Sequence, residues 1–130
     1  MNFPEEDGLY RLFYPRGVAV IGASSKEGKI GYKTFRNLLN SEYSGGKYPV
    51  NIKEEVVQGA RAYRSVLEIP DVVDLAVIVV PASAVPGVLE DCGKKGVKFA
   101  IIITSGYSEI GKLKEERELV EIARRYGMRI

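Results

Sequence analysis

Short apolar runs alternate along the chain with longer segments whose apolar residues recur every three or four positions. The apolar runs occupy residues 17–22, 75–80 and 99–104. They are rich in β-branched residues, which is typical of strands buried on both faces of a parallel sheet. The segments between them carry their apolar residues on one helical face. This alternation predicts an α/β fold, a Rossmann-like and mostly parallel sheet with helices on both faces.

The remaining segments carry weaker signals. Residues 1–16 form a lead-in with one short amphipathic turn. An irregular strand near a sheet edge is expected at 47–51, because Pro49 removes one donor of the hydrogen-bond ladder. We further expect an edge strand around 60–63 and one helical turn at 65–69.

Two helices are predicted in the second half of the chain. The first covers 83–95, with Ser83 as a candidate cap, Pro86 in the first turn and Gly96 at the exit. The second covers 114–126, which has a strong apolar stripe and is followed by glycine.

Length and composition fit one packed domain, expected over 17–130 and cut short in a strand that opens at Met128. The 130 residues are 45% hydrophobic and 28% charged, with a net charge of +2. That charge is too small to indicate nucleic acid. The acidic N-terminus is unlike a signal peptide and no apolar run is long enough to span a bilayer. We therefore expect a cytoplasmic protein that binds neither nucleic acid nor membrane.

Two residue types narrow the chemistry further. The chain has no histidine, which excludes histidine-based acid–base catalysis, histidine metal ligands and phosphohistidine within it. The single cysteine, Cys92, excludes an internal disulfide. It lies among charged residues of a predicted helix without a histidine to activate it, so we interpret it as structural. No metal and no catalytic residue are predicted.

The loop after the first strand is the strongest candidate for a ligand site, because ligands of open α/β sheets bind beyond the carboxyl ends of strands. Gly22 permits a tight turn, and the small residues after it let a ligand approach the backbone. Free N–H groups, the helix dipole and the lysines of this loop attract anions. These residues are Ala23, Ser24, Ser25, Lys26 and Lys29. The alternative is an exposed glycine-rich turn with ordinary surface lysines.

The loop lacks the fingerprint of NAD-binding proteins. Its glycines are spaced more widely than G-x-G-x-x-G, and no acidic residue ends the second strand. Asn51 stands there instead, with Lys53 two residues later. A lysine at this place suits a phosphorylated ribose, which both NADP and coenzyme A carry. The alternative is a solvated turn in which Lys53 pairs with Glu54 and Glu55.

Two further loops are expected to face the first one. Val80, Pro81 and Ala82 follow the strand at 75–80 and would form a flat wall for an adenine or a pantetheine arm. Ile103, Thr104 and Ser105 follow the next strand, where the hydroxyls can donate to a phosphate or an amide. Ordinary strand-to-helix turns would use the same residues.

Several segments together resemble the coenzyme A-binding domain of ADP-forming acyl-CoA synthetases, a module also found in the succinyl-CoA synthetase alpha subunit. The likeness is greatest to the alpha chains of archaeal acetate–CoA ligases. It runs from about Tyr10 to Ile130 in unbroken order. The matching segments are PRGVAVIGAS (15–24), YPVN (48–51), AYRSV (62–66), DLAVIVVPA (74–82) and ITSGY (103–107).

The resemblance implies a function and a set of partners. Members of the family interconvert acyl-CoA, ADP and phosphate with acid, ATP and coenzyme A, through an acyl phosphate and a phosphorylated histidine. That histidine belongs to a second alpha-type domain, and an ATP-grasp-type beta subunit or domain completes the synthetase. The present chain alone would therefore be inactive. Which acid is activated does not follow from the sequence.

The resemblance also assigns roles by position. Ser24, Ser25 and Lys26 would meet the phosphates of coenzyme A and Lys53 the phosphorylated adenosine. The wall of the crevice would come from the two later loops. The full candidate site is Gly22, Ala23, Ser24, Ser25, Lys26, Asn51, Lys53, Val80, Pro81, Ala82, Ile103, Thr104 and Ser105. A stand-alone coenzyme A sensor and an NADP-dependent redox domain are the alternatives.

Overall fold

The computed structural model describes residues 9–103 and 113–130. Its helices are α1 (Tyr10–Phe13), α2 (Ile30–Asn40), α3 (Val85–Lys95) and α4 (Leu113–Tyr126). Its strands are β1 (Gly17–Ile21), β2 (Gly46–Val50), β3 (Val56–Val57), β4 (Ala60–Arg61), β5 (Leu75–Ile78) and β6 (Phe99–Ile102). Four strands form a parallel sheet in the order β2-β1-β5-β6, while β3 and β4 form a separate hairpin. The predicted Rossmann-like α/β fold is confirmed.

Strand β1 lies inside the sheet with every residue buried. Its side chains alternate between two cores, as strand geometry requires. Ala19 and Ile21 belong to the larger core, which contains residues of α3 and α4 such as Leu89 and Ile122. Val20 belongs to a smaller core on the other face, with Phe35 of α2 and Val57 of the hairpin. The continuous apolar run at 17–22 thus reflects a strand covered on both faces.

An ion pair joins the amino ends of β1 and β5, at the edge of the sheet opposite the loops of the candidate site. The Arg16 guanidinium donates to both carboxylate oxygens of Asp74 at 2.7 and 2.8 Å, and the Arg16 backbone N–H adds a third bond at 2.8 Å. The Asp74 side chain is fully buried. Burial by itself raises the pKa of Asp74, but these three bonds outweigh it, and the pKa lies below its ordinary value.

Several boundaries differ from the sequence-based expectation. Strands β1 and β5 end one and two residues before the ends of the apolar runs at 17–22 and 75–80, and β6 ends at Ile102. The expected edge strand around 60–63 is a hairpin, with Tyr63 forming a separate parallel bridge to Val50. A single 3-10 turn (Ala82–Ala84) precedes α3, and the N-cap residue of α3 is Ala84. The helix cap predicted at Ser83 is therefore wrong.

Other local predictions are confirmed. Pro49 lies in β2, one of the two edge strands of the four-stranded sheet. Ser65 caps the 3-10 turn at Val66–Glu68 by accepting from the Leu67 N–H. Gly96 ends α3 in the left-handed conformation. Arg129 forms a parallel bridge with Phe99, so the last residues begin to pair alongside β6.

Within 9–103 and 113–130, the helices lack the length and apolarity that crossing a membrane requires.

Candidate functional site

A cavity of about 740 Å³ opens beyond the carboxyl ends of β1, β2 and β5. This is the place where the strand order reverses, since β2 and β5 leave β1 on opposite sides. The predicted meeting of the first loop with the loop after β5 is therefore present. The cavity is lined by Ile21, Gly22, Ser24, Lys26, Lys29, Val50, Asn51, Ile52, Lys53, Glu54, Arg64, Ser65, Val66, Val80, Pro81, Ala84, Val88 and Asp91.

Gly22 lets the chain turn sharply from β1 into the cavity. Its φ is +99°, in the left-handed region that favours glycine. A Cβ atom at this position would lie 1.9 Å from the carbonyl oxygen of Val79. The backbone of the first loop therefore passes directly beside the end of the neighbouring strand, which only a residue without a side chain allows.

The first loop is held by bonds to its own residues and to the segment after β2. Ser24 is 6% exposed, and its hydroxyl accepts from the Lys26 N–H at 3.0 Å. The Ser25 N–H donates to a carboxylate oxygen of Glu54 at 3.2 Å, and the Ser25 hydroxyl donates to the carbonyl of Val56 at 3.4 Å. An anionic group of the protein thus already sits on one amide of this loop.

Asn51 connects the loop after β2 to the first loop. Its side-chain NH₂ donates to the carbonyl of Ala23 at 2.8 Å and to Glu54 at 3.0 Å. Its side-chain oxygen accepts from the N–H groups of Lys53 and Glu54 at 2.7 and 2.8 Å. Both polar atoms are engaged within the protein, so Asn51 shapes the site. In the alternative interpretation Lys53 pairs with Glu54 and Glu55, whereas in the structure the Glu54 carboxylate accepts from the Ser25 N–H and the Asn51 side chain.

The charges that line the cavity favour an anionic ligand. Four of the lining residues are cationic and two are anionic. The cations are Lys26, Lys29, Lys53 and Arg64, and the anions are Glu54 and Asp91. The remaining lining is mainly aliphatic. Such a cavity has room for phosphates on one side and for an apolar ring or chain on the other.

Seven of the thirteen predicted site residues line the cavity. They are Gly22, Ser24, Lys26, Asn51, Lys53, Val80 and Pro81. Ala23 is fully buried, and Ser25 is exposed and does not line the cavity. Ala82 lies in the 3-10 turn, and Ile103 is 38% exposed at the end of β6. Thr104 and Ser105 lie outside the described residues.

The sequence reasoning missed a group of lining residues that come from two other segments. They are Arg64, Ser65, Val66, Ala84, Val88 and Asp91. Arg64 reaches the cavity because Tyr63 bridges to Val50 and brings its own segment to the same edge of the sheet. The helical turn predicted at 65–69 follows a predicted strand, and this order of elements was the signal that could have placed Arg64, Ser65 and Val66 beside the cavity. The last three residues come from the start and inner face of α3, which faces the end of β5.

Cys92 takes no part in this site. It is fully buried in the larger core. Burial, together with the nearby charge of Asp91, raises the pKa of the Cys92 thiol to about 12. A buried neutral thiol is not a nucleophile, which agrees with the structural interpretation of this residue.

Comparison with known proteins identifies the family. The sequence profile of the CoA binding domain matches residues 16–130. This chain belongs to the coenzyme A-binding domain family. The alpha subunit of acetate–CoA ligase (ADP-forming) II from Pyrococcus furiosus is 60% identical over 122 residues, which are 92% of this coenzyme A-binding domain and 26% of that subunit. The domain thus spans about a quarter of the length of that relative.

Two solved structures place the fold of this coenzyme A-binding domain among known ones. One is the dinucleotide-forming acetyl-coenzyme A synthetase 1 of Ca. Korarchaeum cryptofilum in complex with phosphate and ADP. It matches with a TM-score of 0.89 and 49% identity, over 92% of this chain and 26% of that one. The other is a conserved hypothetical protein from Pyrococcus furiosus, with a TM-score of 0.70 and 28% identity. That match covers 88% of this chain and 90% of the other.

Proposed function

We propose that this domain holds coenzyme A in the cavity at the ends of β1, β2 and β5 as part of an ADP-forming acyl-CoA synthetase. The diphosphate binds at the loop of Ser24, Ser25 and Lys26. The phosphorylated ribose lies toward Lys53. The pantetheine arm follows the aliphatic wall that includes Val80 and Pro81, and carries the thioester out of the domain.

One observation carries this proposal: a cavity at the reversal of strand order whose lining has twice as many cations as anions. Coenzyme A bears phosphates at two separate places. The two lysines of the first loop and Lys53 of the next loop provide cations at two separate places of one cavity. The 60% identity to the alpha subunit of an ADP-forming acetate–CoA ligase supports the same ligand.

The absence of histidine from this chain indicates which step of the synthetase reaction the domain serves. The reaction converts acyl-CoA, ADP and phosphate into the acid, ATP and coenzyme A. Phosphoryl transfer through a histidine needs that histidine in another part of the enzyme, because this chain has none. We assign to this domain the binding and orientation of coenzyme A. A second alpha-type domain and an ATP-grasp-type partner supply the phosphoryl chemistry.

Calorimetric titration of the purified domain tests the ligand. Coenzyme A should bind more tightly than dephospho-coenzyme A, and both should bind more tightly than NADPH. Absence of heat with millimolar coenzyme A would overturn the proposal. Equal affinity for NADPH and coenzyme A would instead favour the redox alternative. The domain alone, given acetyl-CoA, ADP and phosphate, should form no ATP.

A second candidate function is coenzyme A binding without a ligase, as in a sensor. The match that covers 90% of a small Pyrococcus furiosus protein favours it, because the fold also occurs in a chain of similar size. The mass of the native protein, measured by immunoblot of source cells, separates the two. A native band near 14.4 kDa without associated subunits would support the sensor, and a larger band or a stable complex would support the synthetase.

A further inference from the structure

The turn between β3 and β4 contains a residue in an unfavourable backbone conformation. Gln58 and Gly59 form a two-residue hairpin loop with φ angles of +50° and +84°. Two positive φ angles define a turn that favours Asn-Gly or Gly-Gly. Of the residues that the structure describes, Gln58 is the one non-glycine residue with a positive φ. A glutamine here is strained, and strain of this kind often marks a functional constraint.

The Gln58 side chain reaches out of the hairpin to the first loop. Its NH₂ group donates to the carbonyl oxygen of Ser24 at 3.1 Å and to that of Tyr32, in the first turn of α2, at 3.0 Å. Its side-chain oxygen is buried without a hydrogen-bond partner among the described residues. A buried oxygen without a hydrogen bond costs free energy, so it is a second unfavourable feature of the same residue.

The bond to Ser24 determines where the next amide points. In a trans peptide the carbonyl oxygen and the N–H of the following residue lie in one plane and point in opposite directions. Because Gln58 holds the Ser24 oxygen on one side, the Ser25 N–H is directed to the other. There it meets the carboxylate of Glu54, a residue that lines the cavity. This contact shows that the Ser25 N–H, so oriented, donates to an anionic group.

The hairpin is also held by contacts that do not involve this side chain. Val57 is fully buried in the smaller core with Val20 and Phe35. The hairpin is also tied to the first loop by the bond from the Ser25 hydroxyl to the Val56 carbonyl. The two unfavourable features of Gln58 are therefore not explained by the packing of its own element.

We propose that Gln58 is a positioning residue that orients the Ser24–Ser25 peptide so that the Ser25 N–H binds a phosphate of coenzyme A. The inference rests on the proposed function for the identity of the ligand. Asparagine and glycine both suit the turn better than glutamine, and neither reaches the two carbonyls. Stability and affinity should therefore change separately at this position.

The test compares Gln58→Asn and Gln58→Gly with a matched hairpin control, Val56→Thr, whose side chain is 57% exposed. We expect both Gln58 variants to melt at or above the wild-type temperature and to bind coenzyme A about tenfold more weakly, which corresponds to about 1.4 kcal/mol. The control should keep the wild-type affinity. Folded variants with wild-type affinity would overturn the inference.

A second measurement needs no coenzyme A and separates this inference from the proposed function. Amide hydrogen exchange of Ser25, followed by NMR in the ligand-free domain, should be about tenfold faster in Gln58→Asn, because the peptide is no longer held. Unchanged exchange would overturn the positioning role. If the wild type fails to bind coenzyme A but Ser25 exchange accelerates, the proposed ligand is wrong and the positioning of the amide stands.

Discussion

Gly31, in the first turn of α2, lies directly against the backbone of Gly22 at the end of β1. A Cβ atom on Gly31 would be 1.9 Å from the carbonyl oxygen of Gly22. The helix therefore starts closer to the strand than any side chain permits. This contact sets the shape of the loop between them, which lines one side of the cavity.

The first prediction concerns Gly31→Ala. Its methyl group cannot move away from a backbone oxygen, so α2 and the first loop must shift. We expect a loss of about 2 kcal/mol in the free energy of unfolding, as for other overpacked sites, and loss of most of the coenzyme A affinity. Urea denaturation and calorimetry measure the two effects.

Gly87→Ala is the control for this change. Gly87 lies in α3, and a Cβ there meets no atom within 4 Å. Gly87 lies in the first turn of α3, and alanine there should stabilise by up to about 0.5–1 kcal/mol, the range for helix interiors. Equal behaviour of the two variants would contradict the close contact described above.

The second prediction concerns the phosphorylated ribose. Lys53→Glu reverses the charge that we place beside the ribose phosphate, so coenzyme A should bind about tenfold more weakly, a change of about 1.4 kcal/mol. Dephospho-coenzyme A, which lacks this phosphate, should lose much less. Lys98→Glu, at the amino end of β6 and away from the cavity, is the matched charge reversal and should alter neither affinity. Similar losses for both ligands would remove Lys53 from the ribose phosphate.

The third prediction concerns the carboxylate that occupies the first loop. Glu54 accepts from the Ser25 N–H and the Asn51 side chain, where a ligand phosphate would compete with it. Glu54→Gln removes one negative charge from the cavity and keeps the size of the side chain. We expect several-fold tighter binding of coenzyme A at low salt, with the gain shrinking as salt rises.

The opposite outcome for Glu54→Gln is informative. Weaker binding would mean that the charge of Glu54 holds the loop in its binding form, or contacts a donor group of the ligand. Glu55→Gln is the matched control, because Glu55 is the exposed neighbour and does not line the cavity. That variant should leave the affinity unchanged.

The fourth prediction concerns the ion pair at the far edge of the sheet. Asp74→Asn keeps the shape of the side chain but removes the charge that the Arg16 guanidinium faces. Because Asp74 is fully buried and Arg16 is about half exposed, we expect a loss of about 2–3 kcal/mol, at or below the lower end for broken buried pairs. Coenzyme A affinity, measured where the variant is folded, should stay close to wild type.

Stability should depend on pH through the same pair. The pKa of Asp74 is lower in the folded chain than its ordinary value of 3.8. The stabilisation is therefore present above that value and is lost as pH falls through the lower folded pKa. Urea denaturation between pH 5 and 2 should show a smaller acid-dependent loss in Asp74→Asn than in Asp71→Asn. Asp71 is an exposed acid that accepts from the Tyr48 hydroxyl. Equal acid sensitivity would contradict the assignment to Asp74.

The local pattern of the chain predicted most of the elements and the location of the cavity. Apolar runs at 17–22 and 75–80 predicted buried parallel strands, and the glycine and small residues after the first run predicted a turn open to anions. These signals are local, since strand burial and turn chemistry depend on residues a few positions apart. They were enough to predict the fold and seven of the residues that line the cavity.

Only the tertiary structure decided how the loop is held and what charge faces it. The Ser25 amide meets Glu54, 29 positions away, and the Ser24 carbonyl meets Gln58, 34 positions away. The sequence around Glu54 or Gln58 does not predict these contacts, because each contact depends on the path of the chain after β2. Arg64 reaches the cavity for the same reason, through the bridge of Tyr63 to Val50. Periodicity records which face of an element is buried, whereas the orientation of a single peptide depends on partners that folding brings together.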